Sequence, residues 1–166
     1  MHSKIFIDSS RVISLFAVIR VRGSVNVRKD VEDTLKMLRL HRVNHCVLVS
    51  ENPQYLGMLK KVKDWVTFGK VDKKTVILLF EKRGMLTGRR KLDEKSLKRI
   101  TKYETFEKFV DDLMKGKIKL KDYPEIKPVF RLNPPRKGYK AIRLPYPMGD
   151  LGNRGGKISE LIERMV

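Results

Sequence analysis

The 166-residue chain has one cysteine, one tryptophan and three histidines. A single thiol, Cys46, builds no disulfide framework, so a reducing compartment is expected and the fold must be held by packing. Three histidines leave little material for catalysis or metal binding. His41 and His45 stand four apart, as zinc-binding helical pairs do, but no Glu lies between them and no third ligand is in view. The Ser, His and acid sets of nucleophilic enzymes cannot be assembled from these contexts. Asp111-Asp112 faces two ways on its helix and reads as a solvated edge. Gly155-Gly156-Lys157 fails the phosphate-loop frame, with Leu151 where the first glycine belongs and Ile158 where magnesium needs Ser or Thr. Long apolar runs are missing too. Val12–Ile19 is interrupted by Ser14 and followed by Arg20 and Arg22, too short for a bilayer and wrongly flanked for a signal peptide. The expectation is a cytoplasmic protein without cofactor, metal, small-molecule substrate or membrane partner.

What the chain does have is positive charge. Lys and Arg number 38 against 19 acids, a net charge of +19 with a pI near 10.2. The excess is +6 over residues 1–72, +7 over 73–125 and +6 over 126–166, so no acidic lobe neutralises it. At 41% hydrophobic residues the chain is nevertheless able to fold. A folded protein of this charge repels itself unless a polyanion is near, and nucleic acid is the first candidate.

The chain is organised around Leu15–Gly23, where Leu15, Ala17, Ile19 and Val21 alternate with Phe16, Val18, Arg20 and Arg22. One face is apolar and should lie on helices. The other ends in two arginines, which read either as the solvated rim of a sheet or as a pair approaching an anion. After a turn capped by Ser24 or Asn26, Val31, Leu35 and Leu38 recur at helical spacing. Val43–Val49 reads as a second strand, Asn52-Pro53 as a helix start with Tyr55, Leu59, Val62 and Val66 as its stripe, and Trp65–Val71 as a third strand. Residues 15–72 therefore form a βαβαβ unit behind a lead-in, 1–14, with an apolar patch at Ile5-Phe6-Ile7.

Residues 73–125 read as helical: Lys73–Arg83 stopped by Gly84, Asp93–Arg99, and Glu104–Lys115 burying Phe106, Phe109, Val110 and Leu113, with a basic turn at Arg89-Arg90-Lys91. Residues 124–147 hold six of the seven prolines, so regular structure is not expected there. Over 126–143, IKPVFRLNPPRKGYKAIR, prolines keep Arg131, Arg136, Lys137, Lys140 and Arg143 along a line, with Phe130 and Tyr139 free to stack on bases or to dock on the core. A glycine-rich connector, 149–156, leads to a terminal helix carrying Ile158, Leu161, Ile162 and Met165. On this reading the last 41 residues are a clamp, and cutting after Glu125 should leave a folded domain with weakened RNA binding.

DTLKMLRLHRVNH at 33–45, Tyr55 with GMLKKVKDWVTFG to 69, EKRG at 81–84, IKPVFRLNPPRKG at 126–138 and GNRGGKISELIERM at 152–165 together resemble the archaeal–eukaryotic form of the large-ribosomal-subunit protein family called L thirty (L seven in eukaryotes). The likeness covers most of the chain in order, but not residues 1–14. It implies a small three-stranded sheet of ferredoxin-like type, first strand central, two helices on one face, in a non-enzymatic protein bound to large-subunit ribosomal RNA beside other ribosomal proteins. Carried over by position, the implied RNA contacts are Arg39, Arg42, Lys60, Lys61, Arg83, Arg131, Arg136 and Arg154. The charge pattern adds Arg20, Arg22, Arg89, Arg90, Lys137, Lys140 and Arg143. Two departures stand out: Leu56 occupies a position often held by Arg, and Lys137-Gly138 replaces a glycine pair, which should shift the turn's freedom by one residue. A free-standing RNA- or DNA-binding regulator on a similar fold is the alternative from the residues alone.

Overall fold

In the computed structural model, residues 14–166 are described; the lead-in and its Ile5-Phe6-Ile7 patch lie outside them. The first strand, β1 (Leu15–Arg20), is buried along its whole length. Its period of two sends Leu15, Ala17 and Ile19 into one core and Phe16 and Val18 into another. Both faces of the sheet are therefore covered, where a single helix-covered face was expected. The Phe16 face is roofed by α1 (Lys29–Met37), with Val31 and Leu35 buried, and α2 (Pro53–Val62), with Leu59 and Val62 buried. The opposite face carries α3 (Lys73–Arg83), α5 (Phe106–Met114) and α6 (Ile158–Met165), joined by Leu97 of α4 (Glu94–Thr101).

The strand count differs from the three expected. Five strands lie in the order β4-β2-β1-β3-β5, with β2 at His45–Ser50, β3 at Val66–Lys70, β4 at Val129–Arg131 and β5 at Gly152–Asn153. β1 is central, antiparallel to β2 and β3; β4 is antiparallel to β2, and β5 parallel to β3. The two additional strands come from the proline- and glycine-rich stretches that gave no strand signal. β4 pairs only His45–Val47 with Val129–Arg131, and Pro128 just before it has no N–H to extend the ladder. Because β4 is an edge strand it tolerates that neighbour.

Residues 126–166 consequently contribute side chains to the core. Phe130 is fully buried, edge-on to Phe80 with ring centroids 5.1 Å apart, and Phe80 meets Phe109 the same way at 5.4 Å. Ile158, Leu161, Ile162 and Met165 join the same cluster. A cut after Glu125 would therefore remove buried side chains of this core along with the basic segment.

One local detail also differs. The residue flanking the start of α1 is Arg28, with no side-chain cap, while Asn26 takes a left-handed φ of 56° in the preceding turn. Gly84 ends α3 with an extended backbone, φ −61° and ψ 131°; it is required because a Cβ there would lie 2.3 Å from the Phe80 carbonyl oxygen.

Candidate nucleic-acid interface

The corner of the sheet where β2 meets β4 gathers basic side chains from three parts of the chain. The helix α1 ends at Met37, with Leu38 closing it, and Arg39 then turns the chain with a φ of 61°. Leu40 is fully buried in this turn, while Arg39, His41 and Arg42 are exposed. Beneath them Arg20 donates from Nη1 to the carbonyls of Leu40 (2.7 Å) and His41 (3.2 Å), and from Nε to its neighbour Arg22 (2.9 Å). Only 3% exposed, Arg20 braces the turn from inside and presents no guanidinium to a partner. Burial lowers its pKa, with the Glu32 charge acting the other way.

Above the brace lies a cleft of about 250 Å3 lined by Arg39, His41, His45, Lys127, Pro128, Val129 and Arg131. Register sets His45 directly opposite Arg131. Burial lowers the His45 pKa first, and the charges of Arg131, His41, Arg42 and Arg20 lower it further. Its Nδ1 is buried and has no hydrogen-bond partner among the described residues. No acidic side chain lines the cleft. Spacing alone pointed at His41 and His45 only as an unconvincing metal pair, and the strand pairing that seats His45 among arginines was invisible in sequence. Among the described residues no group of three or more His, Cys, Asp or Glu is placed to hold a metal ion.

The PPRKG turn stands next to this corner. Gly138 N–H donates to the Pro135 carbonyl (2.9 Å), and Lys137 and Gly138 both adopt left-handed backbone, φ 66° and 70°. The turn's freedom is thus spent at both residues and is not displaced by one. Arg164 of α6 holds it, donating to the carbonyls of Arg136 (2.8 Å) and Gly138 (2.6 Å); sequence reading gave Arg164 no role. Tyr139 donates its hydroxyl to Asn44 Oδ1 (2.9 Å), and burial together with the Asp150 charge pushes its pKa up to about 12. Of the two aromatics offered for stacking, Phe130 is therefore enclosed and Tyr139 is engaged with the start of β2. Arg136, Lys137, Lys140 and Arg143 remain exposed along the outside.

Other expected contacts fall into two groups. Arg154 is only 9% exposed and paired with buried Asp150, its guanidinium 5.2 Å from the Tyr146 ring centroid. Asp150 also accepts from the backbone N–H groups of Lys140 and Ala141, so the pair pins residues 140–154 together and Arg154 does not face outward. Arg83 donates to the Val166 carbonyl (2.9 Å), and Arg22 to the Asp64 carbonyl (3.2 Å) while lying 5.0 Å from the Trp65 ring centroid; both are half-buried. Lys60, Lys61, Arg89 and Arg90 are exposed on α2 and on the 85–91 turn, Lys61 lying 3.8 Å from Asp30.

A five-stranded sheet covered on both sides and rimmed by exposed Arg and Lys defines a small, strongly basic α+β protein. Residues 16–66 match the family described as Ribosomal protein L30p/L7e. The chain is also 50% identical over 151 residues to large ribosomal subunit protein uL30 of Archaeoglobus fulgidus, covering 91% of this chain and 99% of that protein. Proteins of the same name from Methanocorpusculum labreanum and Methanococcus vannielii are 49% and 52% identical over 152 and 154 residues, with the same coverage. The chain belongs to the L30p/L7e family of ribosomal proteins.

Proposed function

We propose that this chain is a structural constituent of the large ribosomal subunit, located with it in the cytoplasm, that binds ribosomal RNA and neighbouring ribosomal proteins and catalyses nothing. The observation that carries the reading is agreement along nearly the whole chain with archaeal relatives named large ribosomal subunit protein uL30. It is supported by the exposed cations at the β2–β4 corner and on the PPRKG loop: Arg39, Arg42, Arg131, Arg136, Lys137, Lys140 and Arg143. Lys60, Lys61, Arg89 and Arg90 extend this surface. Arg20 and Arg154 act from inside, by fixing the backbone that carries the exposed groups, and the half-buried Arg22 and Arg83 lie at its margins.

Recognition of this kind is dominated by phosphate and releases condensed counterions. Binding to purified large-subunit RNA should weaken with salt at a log–log slope steeper than about −4, corresponding to roughly five or six phosphates. The protein should also co-migrate with large subunits after a low-salt wash. A slope near zero, or a protein that stays in the light fractions as a free regulator would, overturns the reading.

A further inference from the structure

The cleft at the β2–β4 corner has an unusual balance: two guanidiniums, one ammonium and two imidazoles, with no carboxylate in its lining. In a free protein such an arrangement repels itself, and half-buried His45, seated opposite Arg131, is the imidazole on which that repulsion falls. The groups facing it are Arg20 from β1, Arg39, His41 and Arg42 from the α1–β2 turn, and Lys127 and Arg131 from the β4 segment. All are bases. What the site lacks is an anion.

We propose that this cleft seats one phosphate of a nucleic-acid backbone between Arg39 and Arg131, with His45 as an imidazolium donor to the same phosphate. The inference rests on the RNA-binding reading and adds a property to it: binding takes up a proton. Free of ligand, burial and the surrounding cations lower the His45 pKa and so disfavour its charged form. A phosphate in the cleft reverses the local field, so the charged imidazole becomes the favoured form. A charge-assisted hydrogen bond from it to a phosphate oxygen is stronger than one from a neutral ring. Arg131 is held by β-sheet register opposite His45, and Arg39 by a left-handed turn tied to Leu40 and Arg20. The backbone that carries both arginines is therefore fixed before the anion arrives.

Proton uptake is read directly. Binding of the full chain to purified large-subunit RNA, at one fixed salt concentration, should tighten about tenfold between pH 7.5 and pH 5.5, the equivalent of His45 gaining about one pKa unit on binding. In His45→Gln this dependence should fall to less than half, any remainder tracing to His41 in the same cleft, while binding at pH 7.5 persists. Arg131→Gln should weaken binding at both pH values and shrink the pH effect, and thermal melts of both variants confirm that they fold. The His45 ring proton, followed by NMR, should titrate at higher pH with a twelve-nucleotide RNA present than without it. RNA binding that is indifferent to pH, or a pH dependence undiminished in His45→Gln, overturns this inference and leaves the RNA-binding reading standing. An equal response to inorganic phosphate at matched ionic strength overturns the assignment to a nucleic-acid backbone. Failure to bind RNA at either pH overturns both.

Discussion

Phe130 lies edge-on against Phe80, centroids 5.1 Å apart, and so ties the proline-rich segment to a helix fifty residues earlier in the chain. Both rings are fully buried, and Phe80 passes the contact on to Phe109. The basic segment that faces outward at Arg131 is thus anchored by the residue just before it, because successive side chains of a strand point to opposite faces.

Phe130→Ala should cost about 3–5 kcal/mol in urea unfolding, through lost transfer energy and the cavity left behind. Cutting the chain after Glu125 should do more. It removes Phe130, Leu132, Ile158, Leu161, Ile162 and Met165, all buried, at roughly 1.5–3 kcal/mol each. That loss rivals the whole stability of an ordinary domain, about 5–15 kcal/mol. The truncated chain should show no cooperative melt by circular dichroism; a sharp transition would return residues 126–166 to the status of an appendage.

Two glycines make opposite predictions. A Cβ on Gly69 would lie 2.0 Å from the Gly155 carbonyl oxygen, a backbone atom that cannot swing aside. Gly69→Ala should therefore destabilise by about 1–3 kcal/mol or more, since β3 must move away from the turn leading into α6. Gly57, within α2, has nothing within 4 Å of its would-be Cβ. Gly57→Ala should stabilise by about 0.5–1 kcal/mol through helix propensity. Urea midpoints measured side by side check both signs.

Lys137 pays for its place in the PPRKG turn with a φ of 66°. Replacing it by Gly should relieve left-handed strain and raise stability by about 0.5–1 kcal/mol after the entropic cost of glycine. The same change removes one exposed cation, so the RNA salt slope should become shallower by about 0.7–0.9. Stability and affinity then move in opposite directions; a fall in both would mean that the lysine side chain, and not its backbone, shapes the turn.

The pH dependence of folding has a definite sign at His45. Its folded pKa is lowered from 6.5, so the unfolded chain binds the extra proton first. This contribution to stability is intact above about pH 6.5 and is lost as pH falls from there toward the folded pKa. Urea unfolding at pH 7.5 and pH 5.5 should show that loss in the free wild-type protein and a smaller one in His45→Gln. Neighbouring Cys46 is fully buried, and burial pushes its thiol up to about 12. Iodoacetamide at pH 8 should leave it unmodified in the native protein and alkylate it in urea; modification of the native protein at the unfolded rate would contradict this packing.

Several features were set by local sequence. The alternation over Leu15–Val21, the helical spacing of Val31, Leu35 and Leu38, and Asn52-Pro53 before α2 each act over a few residues, where side-chain period and backbone preference suffice. α3 spans Lys73–Arg83 as its apolar stripe and Gly84 indicate. The excess of Lys and Arg pointed to a polyanionic partner, because net charge needs no fold to be read. The motifs from LRLHR to GNRGG carried the family likeness.

Other features belonged to the tertiary structure alone. Strands β4 and β5 have three and two residues, too few to generate a period, and exist because β2 and β3 offer free edges to which chain from far along the sequence returns. Two cores form because the helices of 73–125 and α6 close over the Leu15, Ala17 and Ile19 face while α1 and α2 close over the Phe16 and Val18 face, a division that no local pattern states. Burial likewise divides the arginines: Arg20 and Arg154 turn inward to carbonyls and to Asp150, while Arg39 and Arg131 remain outside. A guanidinium has the same charge and length at all four positions, and only the backbone surrounding it decides whether its donors meet protein or solvent.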